Sequence, residues 1–285
     1  TGHGPVCGRE LTRHAKVARV AFTGGFSAAA QVIINSAENF AEVSLELGGK
    51  SPFIVFDDAN IESAVNGAVA GIFSASGQSC VAGSRLYLHE DIADDFLERM
   101  VAIAKALVIG DPQAEETEMG PLCTTGQIAH IETQVAIAEQ EGGRILCGGK
   151  RIPGPGLFFE PTIIECPRQG MTIVDTELFG PILAVQRFTN EAEAIELAND
   201  TKHGLAAGLF TRDGARQIRM AKKLKSGIVW VNTYRMISPI AEFGGVKTSG
   251  HGREAGLQAM YDYTRAKTIW INLSDEPIAN PFQPR

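Results

Sequence analysis

The sequence alternates short runs rich in β-branched residues with longer helical patterns, and this alternation limits the possible folds more than any other feature. The strand-like runs lie at 19–23, 52–56, 85–88, 182–185 and 228–232. Helical patterns fall between them, at about 27–39, 59–76, 91–107, 124–141, 190–199 and 213–225. Such alternation is typical of a parallel sheet with crossover helices. The sequence therefore predicts an α/β fold.

The composition argues against two classes of partner. The 285 residues carry a formal net charge of −7, which gives no electrostatic basis for binding nucleic acid. No apolar run approaches the roughly 18 residues that a membrane span needs. We therefore expect neither a nucleic acid nor a membrane as partner. The length fits two domains of about 150 residues each.

Cysteine and histidine usage gives no sign of a disulfide framework or a metal site. The five cysteines form no C-x-x-C pair, and no signal-peptide pattern precedes them: Cys7, Cys80, Cys123, Cys147 and Cys166. This usage is typical of reduced thiols in the cytoplasm. The six histidines show no H-x-x-x-H or H-E-x-x-H spacing, so we predict no metal ligands.

One thiol and one carboxylate stand in positions that suit covalent chemistry. Cys80 ends the run 77–80 after a helix of small residues, and Glu46 ends the strand-like run 43–47. Only about a few per cent of an ordinary thiol is ionised at neutral pH, so a nucleophilic cysteine needs a positive field or a base. The alternation of 43–47 places Glu46 opposite the apolar side chains, where it can face a cleft. Glu46 is the candidate base.

Two glycine clusters are candidates for holding a nucleotide. Gly24 and Gly25 lie between a predicted strand and a predicted helix, where free amides could face a phosphate. Their spacing is not G-x-G-x-x-G, so a tight turn without a ligand is the alternative. Gly4, Pro5 and Gly8 form the second cluster, which has no preceding strand.

Four segments, in this order, resemble motifs of the NAD(P)-dependent aldehyde dehydrogenase superfamily. Segment 46–52 (E-L-G-G-K-S-P) resembles the one that carries the family's general base, and 77–80 (G-Q-S-C) the one that carries its nucleophile. Segment 177–181 (E-L-F-G-P) resembles the family's E-x-F-G-P. Segment 243–254 resembles its closing F-G-G-x-K-x-S-G-x-G-R-E. The resemblance spans nearly the whole chain.

The resemblance implies aldehyde oxidation through a cysteine thiohemiacetal and a thioester. Cys80 would attack the aldehyde carbon, and Glu46 would activate the water that hydrolyses the thioester to a carboxylic acid. Phe243 would line the substrate tunnel, and Glu254 would help to relay the proton from Glu46. Arg235 is expected near the substrate entrance, where it would attract an acidic or polar aldehyde.

The same resemblance implies a site for NAD or NADP and leaves the choice between them open. Glu177 would accept hydrogen bonds from the nicotinamide ribose, with Phe179 packed nearby. Gly24 and Gly25 would lie at the pyrophosphate, and the remaining cofactor contacts would come from Leu47 and, at the adenine, from Gly4, Pro5 and Gly8.

The resemblance also implies a domain organisation. Residues 1–47 would be the remnant of a Rossmann-like NAD(P)-binding domain, 48–247 the catalytic domain and 248–265 a return to the cofactor domain. Residues 266–285 would form an oligomerisation strand and tail, so the full-length form is expected to be a homodimer or homotetramer. We interpret the turn-rich start at Thr1 as a truncated front half and expect this chain alone to bind cofactor poorly and to turn over little.

Two alternatives stay open at this stage. A relative of the same fold could pass the acyl group to coenzyme A or work from an acyl phosphate, although a hydrolytic Glu46 would waste that thioester. The chain could also persist as a non-catalytic binding or structural fragment.

Overall fold

A computed structural model describes residues 1–283, which contain ten β-strands and nine α-helices. The strands are β1 (Arg19–Thr23), β2 (Glu42–Glu46), β3 (Pro52–Val55), β4 (Arg85–His89), β5 (Arg144–Cys147), β6 (Thr162–Glu165), β7 (Ile182–Phe188), β8 (Ala206–Phe210), β9 (Ile228–Val231) and β10 (Gly250–His251). The helices are α1 (Arg9–Thr12), α2 (Phe26–Ser36), α3 (Ile61–Phe73), α4 (Glu90–Ala106), α5 (Thr125–Gln140), α6 (Thr172–Asp175), α7 (Glu191–Asn199), α8 (Gly214–Lys223) and α9 (Gly256–Asp262).

The larger sheet has seven strands in the order β5-β6-β7-β4-β3-β8-β9. Every neighbouring pair is parallel except β5 and β6, which are antiparallel. Apolar side chains cover both faces: α3 and α4 pack on the face that includes Phe53, and α7 and α8 pack on the face that includes Ile54. The α/β prediction is confirmed. A sheet covered on both faces explains why its strands are almost continuously apolar.

The smaller sheet has three strands in the order β1-β2-β10. β2 is central, parallel to β1 and antiparallel to β10. Helix α2 covers one face, where Ala29 packs with Leu45 and Leu47 of the central strand and its extension. The predicted alternation of 43–47 is therefore observed, and it leaves Glu46 on the opposite face.

The carboxyl-terminal segment folds onto neither sheet. Residues 267–273 form no strand within this chain, and Trp270 and Leu273 are more than nine-tenths exposed. An intersubunit strand in this segment stays a prediction, as does the division into domains at residues 47, 247 and 265. Residues 284 and 285, the end of the predicted tail, lie outside the described residues. No helix within 1–283 has the length and apolar character needed to cross a bilayer.

Candidate active site

Cys80 lies in the turn that carries the chain from α3 into β4. Gly77 makes this turn possible, because it has a φ of +71° and a Cβ there would lie 2.0 Å from the carbonyl oxygen of Gly180. Cys80 is half-buried and packs in a cluster that includes Trp230, Tyr234 and Phe243. The turn therefore delivers the thiol to an apolar cluster of side chains.

The electrostatic surroundings of Cys80 do not favour the thiolate. Burial raises the pKa of the Cys80 thiol, and the charges of Glu177 and Glu46 add to this rise, while backbone hydrogen bonds oppose it. The two ways of activating a cysteine are a positive field and a neighbouring base. This site has negative neighbours, so its thiol depends on a base.

Glu46 has the properties of a general base. Its side chain is 5% exposed, and neither carboxylate oxygen has a hydrogen-bond partner. Burial raises the pKa of Glu46 to about 7; the charge of Glu254 adds to the rise and that of Arg253 opposes it. A carboxylate that titrates near neutrality can accept and release a proton at working pH.

The closing segment 243–254 holds Glu46 in place. Phe243 and Glu254 form an antiparallel bridge whose two backbone hydrogen bonds are both 2.7 Å long. Gly244, which follows Phe243, approaches Glu46 so closely that a Cβ on it would lie 2.8 Å from Oε1. The predicted substrate residue Phe243 and the predicted relay residue Glu254 are thus brought to the face of β2 that carries Glu46.

The dipeptide Gly48-Gly49 connects the three central groups. Its second amide donates a hydrogen bond of 3.1 Å to Oε1 of Glu177. A Cβ on Gly48 would lie 1.8 Å from Oε2 of Glu177, and one on Gly49 would lie 2.3 Å from the carbonyl oxygen of Cys80. Only glycine therefore lets both the Glu177 carboxylate and the Cys80 backbone approach the end of the strand that carries Glu46.

A cavity of about 300 Å³ lies beside Glu177. Its lining comes from the start of α2, the end of β2 and three loops: Phe26, Leu47, Gly48, Glu177, Lys202, His203 and Thr248. Burial raises the pKa of Glu177, while the bond from Gly49 opposes the rise. The carboxylate has lone pairs left for the hydroxyl groups of a ribose. Phe179 lies beyond this cavity, 42% exposed, with a φ of +49°.

The β1–α2 turn fits a pyrophosphate. Gly25 is the N-cap of α2 and offers no side-chain hydrogen bond, so the first amides of the helix are free for an anion. Gly24 donates a 3.1 Å hydrogen bond to the carbonyl oxygen of Glu46, which connects the turn to β2. The orphaned amides and the Glu177 cavity together fit a dinucleotide.

Gly4, Pro5 and Gly8 lie in a separate cleft. This cleft has a volume of about 720 Å³ and includes Val20 and Phe22 of β1 among its lining residues. The three residues belong to a π-helical turn, Gly4–Gly8, that precedes α1. The structure therefore brings the predicted adenine residues to the same sheet as the predicted pyrophosphate turn.

Two polar residues near the site were not predicted. Lys50 is 1% exposed, and burial lowers its pKa to about 7, with the charge of Arg85 adding to the drop. Burial also lowers the pKa of His203 to about 4, and its Nδ1 lies 3.2 Å from the carbonyl oxygen of Gly48. Lys50 lies inside the motif 46–52, which could have marked it. His203 lies in no motif, so no signal in the sequence could have found it.

Asp57, His89 and Asp91 place ligand atoms within 4.8 Å of one another. None of the three lines the cavities at Glu177 or at the π-helical turn. The predicted lack of metal ligands stays a prediction.

The sequence profile of the aldehyde dehydrogenase family matches residues 1–269, and the chain belongs to this family. A curated relative, (Z)-2-((N-methylformamido)methylene)-5-hydroxybutyrolactone dehydrogenase of Acinetobacter baylyi, is 51% identical over 283 residues, which are 99% of this chain and 58% of that protein. The structure of PnpE from Pseudomonas sp. WBC-3 superposes with a TM-score of 0.94 at 44% identity, over 99% of this chain and 58% of that one.

A point mutant of the betaine aldehyde dehydrogenase of Staphylococcus aureus, solved in complex with NAD+, gives a TM-score of 0.95 at 40% identity. That match covers 99% of this chain and 58% of the mutant. The chain thus spans somewhat more than half of the length of these relatives.

Proposed function

We propose that the protein to which this chain belongs oxidises a small aldehyde to a carboxylic acid with NAD or NADP. The observation that carries the proposal is the state of Glu46, a buried carboxylate without a hydrogen-bond partner and with a pKa of about 7. Hydrolysis of a thioester needs such a base. Glu46 and Cys80 are the catalytic residues in this proposal.

Glu46 accepts the proton of the Cys80 thiol, and the sulfur attacks the aldehyde carbon to form a hemithioacetal. Loss of hydride from that carbon leaves a thioester on Cys80. Glu46 passes its first proton to the exposed Glu254 or to solvent, then takes a proton from water as the water attacks the thioester carbon. The carboxylic acid leaves, and the Cys80 sulfur is regenerated. Phe243 lines the path of the substrate.

When bound, NAD or NADP supplies the acceptor for the hydride. Glu177 and Leu47 would hold its nicotinamide ribose, Phe179 would pack nearby, and the amides at Gly24 and Gly25 would hold the pyrophosphate. Gly4, Pro5 and Gly8 would hold the adenine. The support is the fit of these groups to a dinucleotide and the NAD+ bound in the related Staphylococcus aureus structure.

Three further properties belong to this proposal. The names of two relatives, a hydroxybutyrolactone dehydrogenase and a betaine aldehyde dehydrogenase, point to a small polar molecule as the substrate. The protein would act in the cytoplasm as a homo-oligomer, with residues 267–273 pairing between subunits. Because the chain spans 58% of its relatives' length, we expect residues 1–285 alone to bind cofactor weakly and to turn over little.

A single-turnover experiment at high chain concentration tests this function. With NAD and a small aldehyde, we expect wild-type chain to form NADH and acid slowly. Glu46→Gln should form NADH more slowly than wild type, because Cys80 loses its base, and should stop after at most one NADH per chain. It should then show the mass of an acyl group on Cys80, because the thioester cannot be hydrolysed. Cys80→Ser should show neither NADH nor the added mass.

The same experiment separates the alternatives. Release of the trapped acyl group by coenzyme A, with acyl-CoA as product in the wild type, would favour a CoA-acylating enzyme. Folded chains that bind NAD and still give neither NADH nor an acyl adduct would contradict the proposal and favour a non-catalytic role.

A further inference from the structure

Arg235 lies beside the loop that carries the proposed nucleophile. Its Nη2 lies 3.4 Å from Oγ of Ser79, the residue directly before Cys80, and donates to it. Its Nη1 donates to the carbonyl oxygen of Ala70 in α3, at 3.3 Å. Arg235 has a φ of +63°, a conformation that costs energy for a residue with a Cβ. The surrounding contacts therefore hold this guanidinium in place.

Tyr234 fixes the position of Arg235. Its hydroxyl donates a hydrogen bond of 2.9 Å to the carbonyl oxygen of Val81, and its ring packs against Trp230 and Phe53. Burial raises the pKa of Tyr234; the charge of Arg235 opposes this rise, and that of Cys80 adds to it. Arg235 and Cys80 thus lie within electrostatic reach of the same hydroxyl.

The charge of Arg235 is not neutralised within the described chain. No ion pair among residues 1–283 includes it. Its two hydrogen bonds are long and use two of the five N–H groups of the guanidinium. The next residues, Met236 and Ile237, are apolar and about two-thirds exposed. A half-buried cation in an apolar setting lacks an anionic or oxygen-rich partner.

We propose that Arg235 sets the substrate class of the site, selecting aldehydes whose far end carries a carboxylate or another oxygen acceptor and repelling those that carry a cationic group. A guanidinium pairs with a carboxylate through two parallel hydrogen bonds, and such pairs are strong where water is scarce. Glu46 and Glu177 favour cations at Cys80, and Arg235, which contacts the residue before Cys80, is the cation that opposes this preference. This inference rests on the proposed function, because it treats Cys80 as the reacting atom.

Charged thiol reagents test this selectivity on the chain as it is, without turnover. The anionic sulfonatoethyl and the cationic trimethylammonioethyl methanethiosulfonates are similar in size and opposite in charge. The ratio of their rates at Cys80, read by peptide mass and divided by the same ratio at the exposed Cys7, reports the local field. We expect this ratio to fall at least about fivefold in Arg235→Gln.

Two variants serve as controls. Arg235→Lys keeps the charge and should keep most of the ratio. Arg99→Gln removes the same charge from the exposed face of α4, where the pair with Asp95 is solvent-accessible, and should leave the ratio unchanged. An unchanged ratio in a folded Arg235→Gln chain would overturn the proposal.

If Arg235→Gln does not fold, a measurement on the wild-type chain still tests the role of Arg235. Raising the salt concentration should move the Cys80 ratio towards that of Cys7, because salt screens a partly exposed charge. A ratio that does not respond to salt would overturn the proposal. Failure of the proposed function would look different, since acyl transfer to Cys80 would be missing while the reagent ratio stayed intact.

Discussion

At the residue scale, the burial of Glu46 lowers the stability of the fold at neutral pH and raises the pKa of the carboxyl group into the range of a general base. A buried carboxylate without hydrogen bonds is costly when it is ionised, and here the cost appears as a pKa raised from 4.5 to about 7. Between these pH values the folded chain holds a proton that the unfolded chain has released. The stabilisation from this proton is therefore complete below pH 4.5 and is lost as the pH rises through about 7.

Glu46→Gln should remove this pH dependence. The free energy of unfolding of the variant, relative to wild type, should rise by about 2 to 3 kcal/mol between about pH 5 and pH 8, after allowing for partial screening by solvent. Chemical denaturation at a series of pH values measures it. Glu62→Gln, an exposed change in the first turn of α3, is the matched control and should show no trend. If the difference in unfolding free energy between Glu46→Gln and wild type does not change with pH, the pKa of Glu46 is not raised.

At the element scale, the strand-like runs of the sequence correspond to β1, β2, β3, β4, β7 and β9, whereas β5, β6, β8 and β10 were missed. β8 was missed because Ala206–Phe210 contains two alanines and a glycine, yet all five residues are buried. The predicted helix 59–76 ends at Phe73, because Ala75 and Ser76 take positive φ values in the turn before Cys80. Tertiary packing determines both the strand at β8 and the end of α3, and local propensity carries no information about that packing.

Gly48→Ala tests how the strand end positions Glu177. The new Cβ would occupy the position of a carboxylate oxygen, so Glu177 must swing away and lose its bond from Gly49. A Glu177 carboxylate that has moved away can no longer accept a hydrogen bond from the ribose of NAD. A hydrogen bond to a charged group is worth about 1.5 to 3 kcal/mol, so NAD affinity should fall about 10-fold or more. The NAD concentration that half-protects Cys80 from alkylation measures this affinity.

The control for this change is Gly126→Ala in α5, where a Cβ meets nothing within 4 Å. It should leave NAD affinity unchanged and leave stability equal or slightly higher. Because the far end of the Glu177 side chain can move, Gly48→Ala should also stay folded. Unaltered NAD affinity in Gly48→Ala would argue against Glu177 as a cofactor ligand.

At the scale of the whole molecule, the site lies where the two sheets meet. Glu46 belongs to the three-stranded sheet, while Cys80 and Glu177 come from loops of the seven-stranded one. The carbonyl oxygen of Gly48 accepts a 2.7 Å hydrogen bond from Ser249, which joins the closing segment to the junction. The motifs pointed to these residues by resemblance. Their mutual distances and the unpaired state of Glu46 depend on packing between distant segments, which no local pattern contains.

The most direct test of this account is the rate at which iodoacetamide alkylates Cys80, with and without millimolar NAD. Peptide mass separates Cys80 from Cys123, the exposed cysteine that serves as the internal reference. If the junction of the two sheets holds a nucleophile beside a cofactor site, the alkylation rate of Cys80 should rise at a higher pH than that of an ordinary thiol, because burial raises the pKa of Cys80. NAD should slow the alkylation of Cys80 and not that of Cys123. A Cys80 that reacts like Cys123 and whose alkylation rate does not change with NAD would contradict the account.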